Sequence, residues 1–173
     1  MTLVICDSSS LILIAKIESL DMFIDIFEEI LIPEAVLFEV VTKGKEYKKL
    51  DAFLVEKRIE EGKIKVVKID NLSEKAKIMN NFNIHEGEAE ALIIYLEKRA
   101  DLLSTDDNKT IRVCKILKIR YFTTLSFIFL LYNKKRISKE KSLLKINTLE
   151  KIGWYKKEVI NYFIEKIEIE GDI

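Results

Sequence analysis

NIHEGEAEALIIYLEKRADLLSTDD, residues 83–107, reads as a helix running into a short strand. Ala89, Leu92, Ile93 and Leu96 recur at i, i+3, i+4 and i+7, the spacing that gives a helix one apolar face. Asn83 with Glu86 three residues later has the form of a capping box and predicts a helix start at Asn83. Asp101-Leu102-Leu103-Ser104-Thr105 is a brief apolar run that stops on Asp106 and Asp107. Glutamates on the helix and aspartates at the strand tip make this an acidic arrangement, and the rest of the chain is read for further carboxylates.

Towards the N-terminus, Thr2 to Cys6 is a continuous apolar run closed by Asp7-Ser8-Ser9-Ser10. Such a run is the mark of a strand buried on both faces, as in a parallel sheet covered by helices. The serines can cap a helix over 11–17, and Met22, Phe23, Ile26 and Phe27 give residues 20–29 a second apolar face. Ile30-Leu31-Ile32 predicts a short strand, and Pro33, the only proline, suits the start of the helix that buries Val36, Leu37, Val40 and Val41. A charged helical stretch over 43–63 leads to a strand over 64–69 and a short helix over 73–79. Beyond Asp107, a helix through Ile111, Cys114 and Leu117 precedes a strand over 119–123. Strands alternating with helices predict an α/β fold with right-handed crossovers and a parallel sheet.

From Leu125 onwards the strand signals fade, and residues 125–173 read as a helical extension packed on a single domain. Ser138 can cap a helix ending near Gly153, and a last helix carries Val159, Ile160, Phe163, Ile164 and Ile167 on one face. Phe127, Phe129 and Tyr132 exceed what a covered sheet requires and are expected to contact a protein, either a second copy or another chain.

The 173 residues carry 29 basic and 29 acidic side chains, so no global field announces a nucleic acid. Cys6 and Cys114, far apart in sequence, point to buried thiols rather than a disulfide. No apolar run reaches the roughly 20 residues of a membrane span. With no charged leader at the N-terminus, the expected place is the cytoplasm.

Asp7 and Asp106 each follow a strand directly, at the sheet edge where ligands of open parallel sheets collect. Taken singly, each acid also suits a turn or a helix cap. Clustered carboxylates repel unless a cation joins them. The chain has one histidine, His85, and no Cys/His cluster, which argues against zinc. Oxygen-only ligands instead point to Mg²⁺ or Mn²⁺ and to metal-assisted hydrolysis of a phosphodiester.

VICDSSSLI (4–12), IPEAVLFEVV (32–41), GEAEALI (87–93) and LLSTDD (102–107), in that order and separation, resemble a PIN-domain nuclease. They are most similar to the group with a GEAEA helix and two C-terminal helices, many of them toxins of toxin–antitoxin pairs. The resemblance implies a three-layer α/β/α sandwich with a central parallel sheet and a helical tail, Mg²⁺ or Mn²⁺ as cofactor, and cleavage of single-stranded RNA. It further implies an antitoxin partner. Carried over, the catalytic acids are Asp7, Glu39, Glu90 and Asp106, with Asp7, Glu90 and Asp106 on the metal and Ser9, Glu88 and Asp107 in support. Periodicity alone makes Glu39 a solvated surface acid, and only the resemblance singles it out. Where the group has a glycine after its last strand, this chain has Thr123-Thr124-Leu125-Ser126.

At about 100° per residue, Glu88 and Glu90 stand some 200° apart and cannot share a pocket. Glu86, used in the predicted cap, leaves Glu90 as the expected metal ligand and Glu88 as an acid favoured by the helix dipole. Lys134-Lys135-Arg136 and the lysines from Lys43 to Lys49 are candidates to meet RNA phosphates, although such runs are more often solvated helix ends. The reading taken is a metal-dependent endoribonuclease of the toxin type. Its rivals are a PIN-type nuclease of RNA processing and a silent PIN-like module that binds RNA or protein. A phospho-receiver domain fits less well, because Asp7 has only Cys6 before it and Lys118 precedes its strand instead of ending it.

Overall fold

The structure is a computed structural model that describes residues 2–170. Five strands, β1 (Leu3–Cys6), β2 (Glu29–Pro33), β3 (Lys65–Val67), β4 (Leu102–Ser104) and β5 (Tyr121–Phe122), lie in the order β3-β2-β1-β4-β5. Every pairing is parallel. Parallel neighbours need long crossovers, which the helices supply. They are α1 (Ser8–Lys16) and α2 (Leu20–Ile26), then α3 (Glu34–Leu37), a π-helical turn (Phe38–Lys43), α4 (Gly44–Glu46) and α5 (Leu50–Glu60). After β3 come α6 (Leu72–Phe82) and α7 (Glu86–Lys98), and after β4 comes α8 (Asn108–Leu117). The described residues fall into two compact units that divide between Phe122 and Thr123.

Val4, Ile5 and Cys6 are all completely buried, as the unbroken apolar run predicted. Ile5 and Leu103 join the core made by Leu92, Ile93 and Ile94 of α7 and Val113 and Cys114 of α8. On the other face, Phe23 of α2 and Phe27, the residue that ends it, pack on each other at 4.9 Å and on Phe122 of β5 at 6.1 and 5.4 Å between ring centroids. Offset and edge-on ring pairs of this kind add about 0.5–1.5 kcal/mol each beyond area burial. Helices thus cover both faces of the sheet in an α/β/α sandwich. Both cysteines are free and buried.

The start of α7 differs from expectation. Asn83 is not its cap: it takes the left-handed conformation (φ 52°) that ends α6, and α7 begins at Glu86 with His85 as N-cap. The backbone N–H of His85 donates to Glu88 Oε2 at 2.7 Å, so the reciprocal acid of the cap is Glu88 rather than Glu86. The helix cap therefore lies two residues later than the Asn83–Glu86 spacing suggests.

The second unit holds α9 (Thr124–Asn133), α10 (Lys139–Ile152) and α11 (Lys157–Glu170). Thr123 caps α9 by accepting from the Ser126 N–H at 3.3 Å, and Ser138 caps α10 by accepting from the Lys141 N–H, also at 3.3 Å. Phe127 is fully buried, Phe129 packs edge-on against Phe163, and Phe129 and Tyr132 are each half-buried. Trp154 and Tyr162 are the exposed aromatics among the described residues of this unit. No helix among the described residues is long and apolar enough to cross a membrane.

Candidate active site

The strand order reverses at β1: the chain runs outward through β2 and β3, then crosses to β4 and β5. Crevices of open α/β sheets lie beyond the carboxyl ends of the strands at that switch point. Asp7 follows β1, and the pairing of Cys6 with Ser104 sets Thr105 and Asp106 beside it. The N–H of Asp7 continues the ladder to the Ser104 carbonyl at 3.1 Å. Sheet register alone therefore brings the two aspartate-bearing tips together.

The Asp7 carboxylate is buried and fully engaged. Oδ1 accepts from the Ser9 hydroxyl at 2.7 Å and from the Ser10 N–H at 3.0 Å, and Oδ2 accepts from the Thr105 hydroxyl. Ser9 also accepts from the Asp106 N–H at 2.9 Å, so one serine ties both aspartates into place. Burial pushes the Asp7 carboxyl up to about 7; its hydrogen bonds oppose that rise and the Asp106 charge adds to it. The groups that act most on Asp7 are hydroxyls, one backbone N–H and the Asp106 carboxylate, and it forms no ion pair with any described residue.

Glu39 reaches the site through an irregularity. It lies in the π-helical turn, where the wider winding departs from ordinary helical spacing. The side chain is exposed, and Oε2 accepts from the Ser8 hydroxyl at 2.6 Å. Gly87 lets it come close to α7: a Cβ there would sit 3.3 Å from Val36 Cγ2, 3.6 Å from Ser8 Oγ and 3.8 Å from Glu39 Oε2. Sequence reading missed Ser8 and Thr105, since neither partnership has a local signal.

Glu88 and Glu90 do face different surroundings. Burial pushes the Glu88 carboxyl upward; the His85 N–H pulls it back, and the charges of Asp107 and Glu39 raise it further. Glu88 therefore feels the acids of the crevice. Glu90 is 5% exposed and lines the same groove as Glu39: Oε2 accepts from the Ala35 N–H at the start of α3 and Oε1 from Lys75 Nζ, both at 3.1 Å. Lys75 pairs with Glu86 as well. Asp107 caps α8, accepting from the Thr110 N–H at 2.7 Å. His85 is exposed. Lys134, Lys135 and Arg136 occupy the turn between α9 and α10 in the helical unit.

Among the described residues, no group of three or more His, Cys, Asp or Glu side chains is placed to hold a metal ion. An open arc of acids suits Mg²⁺ or Mn²⁺, which take one or two carboxylates and keep several waters. The acids gathered at the strand tips present oxygen donors only, the kind that Mg²⁺ and Mn²⁺ take.

The sequence profile of a PIN-domain family, DUF3368, matches residues 3–168. The crystal structure of PAE2754 from Pyrobaculum aerophilum shares the fold at TM-score 0.54 and 15% identity, covering 75% of this chain and 96% of that one. No curated protein matches the chain. With that profile spanning nearly its whole length and its aspartates gathered at the switch point of a parallel sheet, the chain belongs to the PIN-domain family, a fold of nuclease type.

Proposed function

We propose that the protein is an Mg²⁺- or Mn²⁺-dependent endoribonuclease that cleaves single-stranded RNA, with Asp7, Asp106 and Glu88 holding the cation and Glu39 completing the arc. The observation that carries this reading is Asp7 itself: a buried carboxyl raised to about 7, tied through Ser9 to a second aspartate, with no ion pair to any described residue. Glu88 replaces Glu90 in the proposed ligand set because Glu90 already has the Lys75 ammonium as its counter-charge, whereas Glu88 lies within the influence of the Asp107 and Glu39 charges.

Asp7, Asp106 and Glu88 would hold the cation, whose chemistry there would be activation of water and neutralisation of charge on the phosphate. The chain's own residues supply the rest. Ser9, Ser10 and Thr105 hold the Asp7 carboxylate in one orientation. Ser9 also fixes the backbone from which Asp106 projects. Ser8 binds one oxygen of Glu39, and the other is left to orient water at the exposed rim. The physiological role we infer is that of a toxin held in check by an antitoxin, which rests on the resemblance of the four motifs. Expression of the wild type but not of Asp7→Asn should then arrest growth.

The direct test is a pool of mixed-sequence single-stranded RNA incubated with pure protein and Mn²⁺. Cleavage that stops in EDTA and in Asp7→Asn supports the reading. Undiminished cleavage in EDTA contradicts it.

A further inference from the structure

Every exposed Phe or Tyr ring among the described residues of the sheet unit lies in residues 38–53: Phe38 is 52% exposed, Tyr47 72% and Phe53 46%. Each has a lysine ammonium over its face. Lys43 stands 5.3 Å from the centroid of Phe38, Lys45 stands 5.6 Å from Phe53, and Lys49 stands 5.8 Å from Tyr47. Lys45 is also bound to Glu56 at 2.7 Å, whereas Lys43 and Lys49 make no ion pair with any described residue. The stretch begins at the π-helical turn that carries Glu39, so it starts at the acid arc. A groove of about 700 Å³ lined in part by Phe38, Glu39, Lys43 and Lys68 continues it.

We propose that residues 38–53, with Lys68 in the adjoining groove, form the track along which single-stranded RNA reaches the acid site. Bases stack on Phe38, Tyr47 and Phe53, and phosphates meet Lys43 and Lys49. Rings beside unpaired ammonium groups are what sequence-tolerant single-strand binding uses: stacking holds any base, and lysines follow the backbone. An exposed lysine–ring contact is weaker than the stacking of a base. An arriving base therefore displaces the ammonium from the ring and releases it towards a phosphate. Net charge over the chain is zero, so the attraction is this local pairing rather than a field of the whole protein. The proposal rests on the reading of the acid arc as an RNA-cleaving site.

The test measures binding of a labelled single-stranded RNA by fluorescence anisotropy, using the full chain as Asp7→Asn in EDTA so that nothing is cleaved. Phe38→Ala and Tyr47→Ala should each weaken binding roughly 5- to 150-fold. The double variant Lys43→Gln/Lys49→Gln should reduce the slope of log affinity against log salt by about 1.4. All four side chains are on the surface, and unchanged circular dichroism verifies that the fold is kept. Tyr162→Ala removes a comparably exposed ring with its own lysine in the helical unit and should leave binding unchanged. If the parent binds RNA and the ring and lysine variants bind as tightly, the track is wrong while the cleavage reading stands. The same holds if those variants abolish self-association and spare RNA binding, since the stretch is then a protein interface. If the variants lose binding but the wild type with Mn²⁺ never cleaves RNA, the track stands and the cleavage reading fails.

Discussion

Replacing Asp7 with asparagine should make the cation-free protein more stable at neutral pH while removing activity. Asp7 is 1% exposed, and burial pushes its carboxyl from 3.8 to about 7. The unfolded chain loses this proton near 3.8 and the folded protein keeps it to about 7. Between those values the unfolded state binds fewer protons, so stability falls as pH rises, and the penalty is complete above about 7. A rise of about 3 pKa units corresponds to about 4 kcal/mol. Asparagine keeps the shape and an acceptor for Ser9 and Ser10 but exchanges charge-assisted hydrogen bonds for neutral ones, which reduces the expected gain to about 2 kcal/mol. For a chain of this size that raises Tm by roughly 4–8 °C. The assay is thermal unfolding of both proteins in EDTA from about pH 4.5 to about pH 7.5, with the gap expected to shrink on acidification. Adding Mn²⁺ at about pH 7.5 should then stabilise the wild type and not the variant, because only the native acid arc binds it. A variant less stable than wild type at about pH 7.5, or a gap that does not change with pH, refutes the reasoning.

Glu88→Gln should abolish Mn²⁺-dependent RNA cleavage. Glu90→Gln should retain it but lose about 1–3 kcal/mol in urea unfolding, because it weakens a buried carboxylate bound by Lys75 and Ala35. Ser9→Ala removes the link between Asp7 and Asp106 and should lower Mn²⁺ affinity, read by titration, roughly 10- to 100-fold. Gly87→Ala places a methyl group against Val36, Ser8 and Glu39 and should cut the cleavage rate more than it lowers Tm. Leu92→Ala, fully buried beneath the sheet, should cost about 2–5 kcal/mol by urea unfolding.

The sheet was legible because parallel strands covered on both faces leave unbroken apolar runs, and Val4-Ile5-Cys6 is one. Asp7 and Asp106 were legible for the same reason: each run stops abruptly on an acid at the edge where crevices form. The start of α7 was not, because Asn83 serves equally well to begin a helix or to end one in the left-handed conformation, and here it ends α6. That later start makes Glu88 the reciprocal acid of the cap, whereas the register read from Asn83 and Glu86 favoured Glu90. Glu39 could not be placed by periodicity, since a π-helical turn breaks the spacing on which periodicity depends. Ser8, Thr105 and Lys75 find partners across tertiary contacts that leave no mark on neighbouring residues.

The most direct test of the acid arc as a cation site is Mn²⁺ binding followed by electron paramagnetic resonance in wild type, Asp7→Asn, Glu88→Gln and Glu90→Gln. The account predicts that free Mn²⁺ signal is lost on adding wild type or Glu90→Gln and persists with Asp7→Asn and Glu88→Gln. Equal binding by wild type and Asp7→Asn contradicts it.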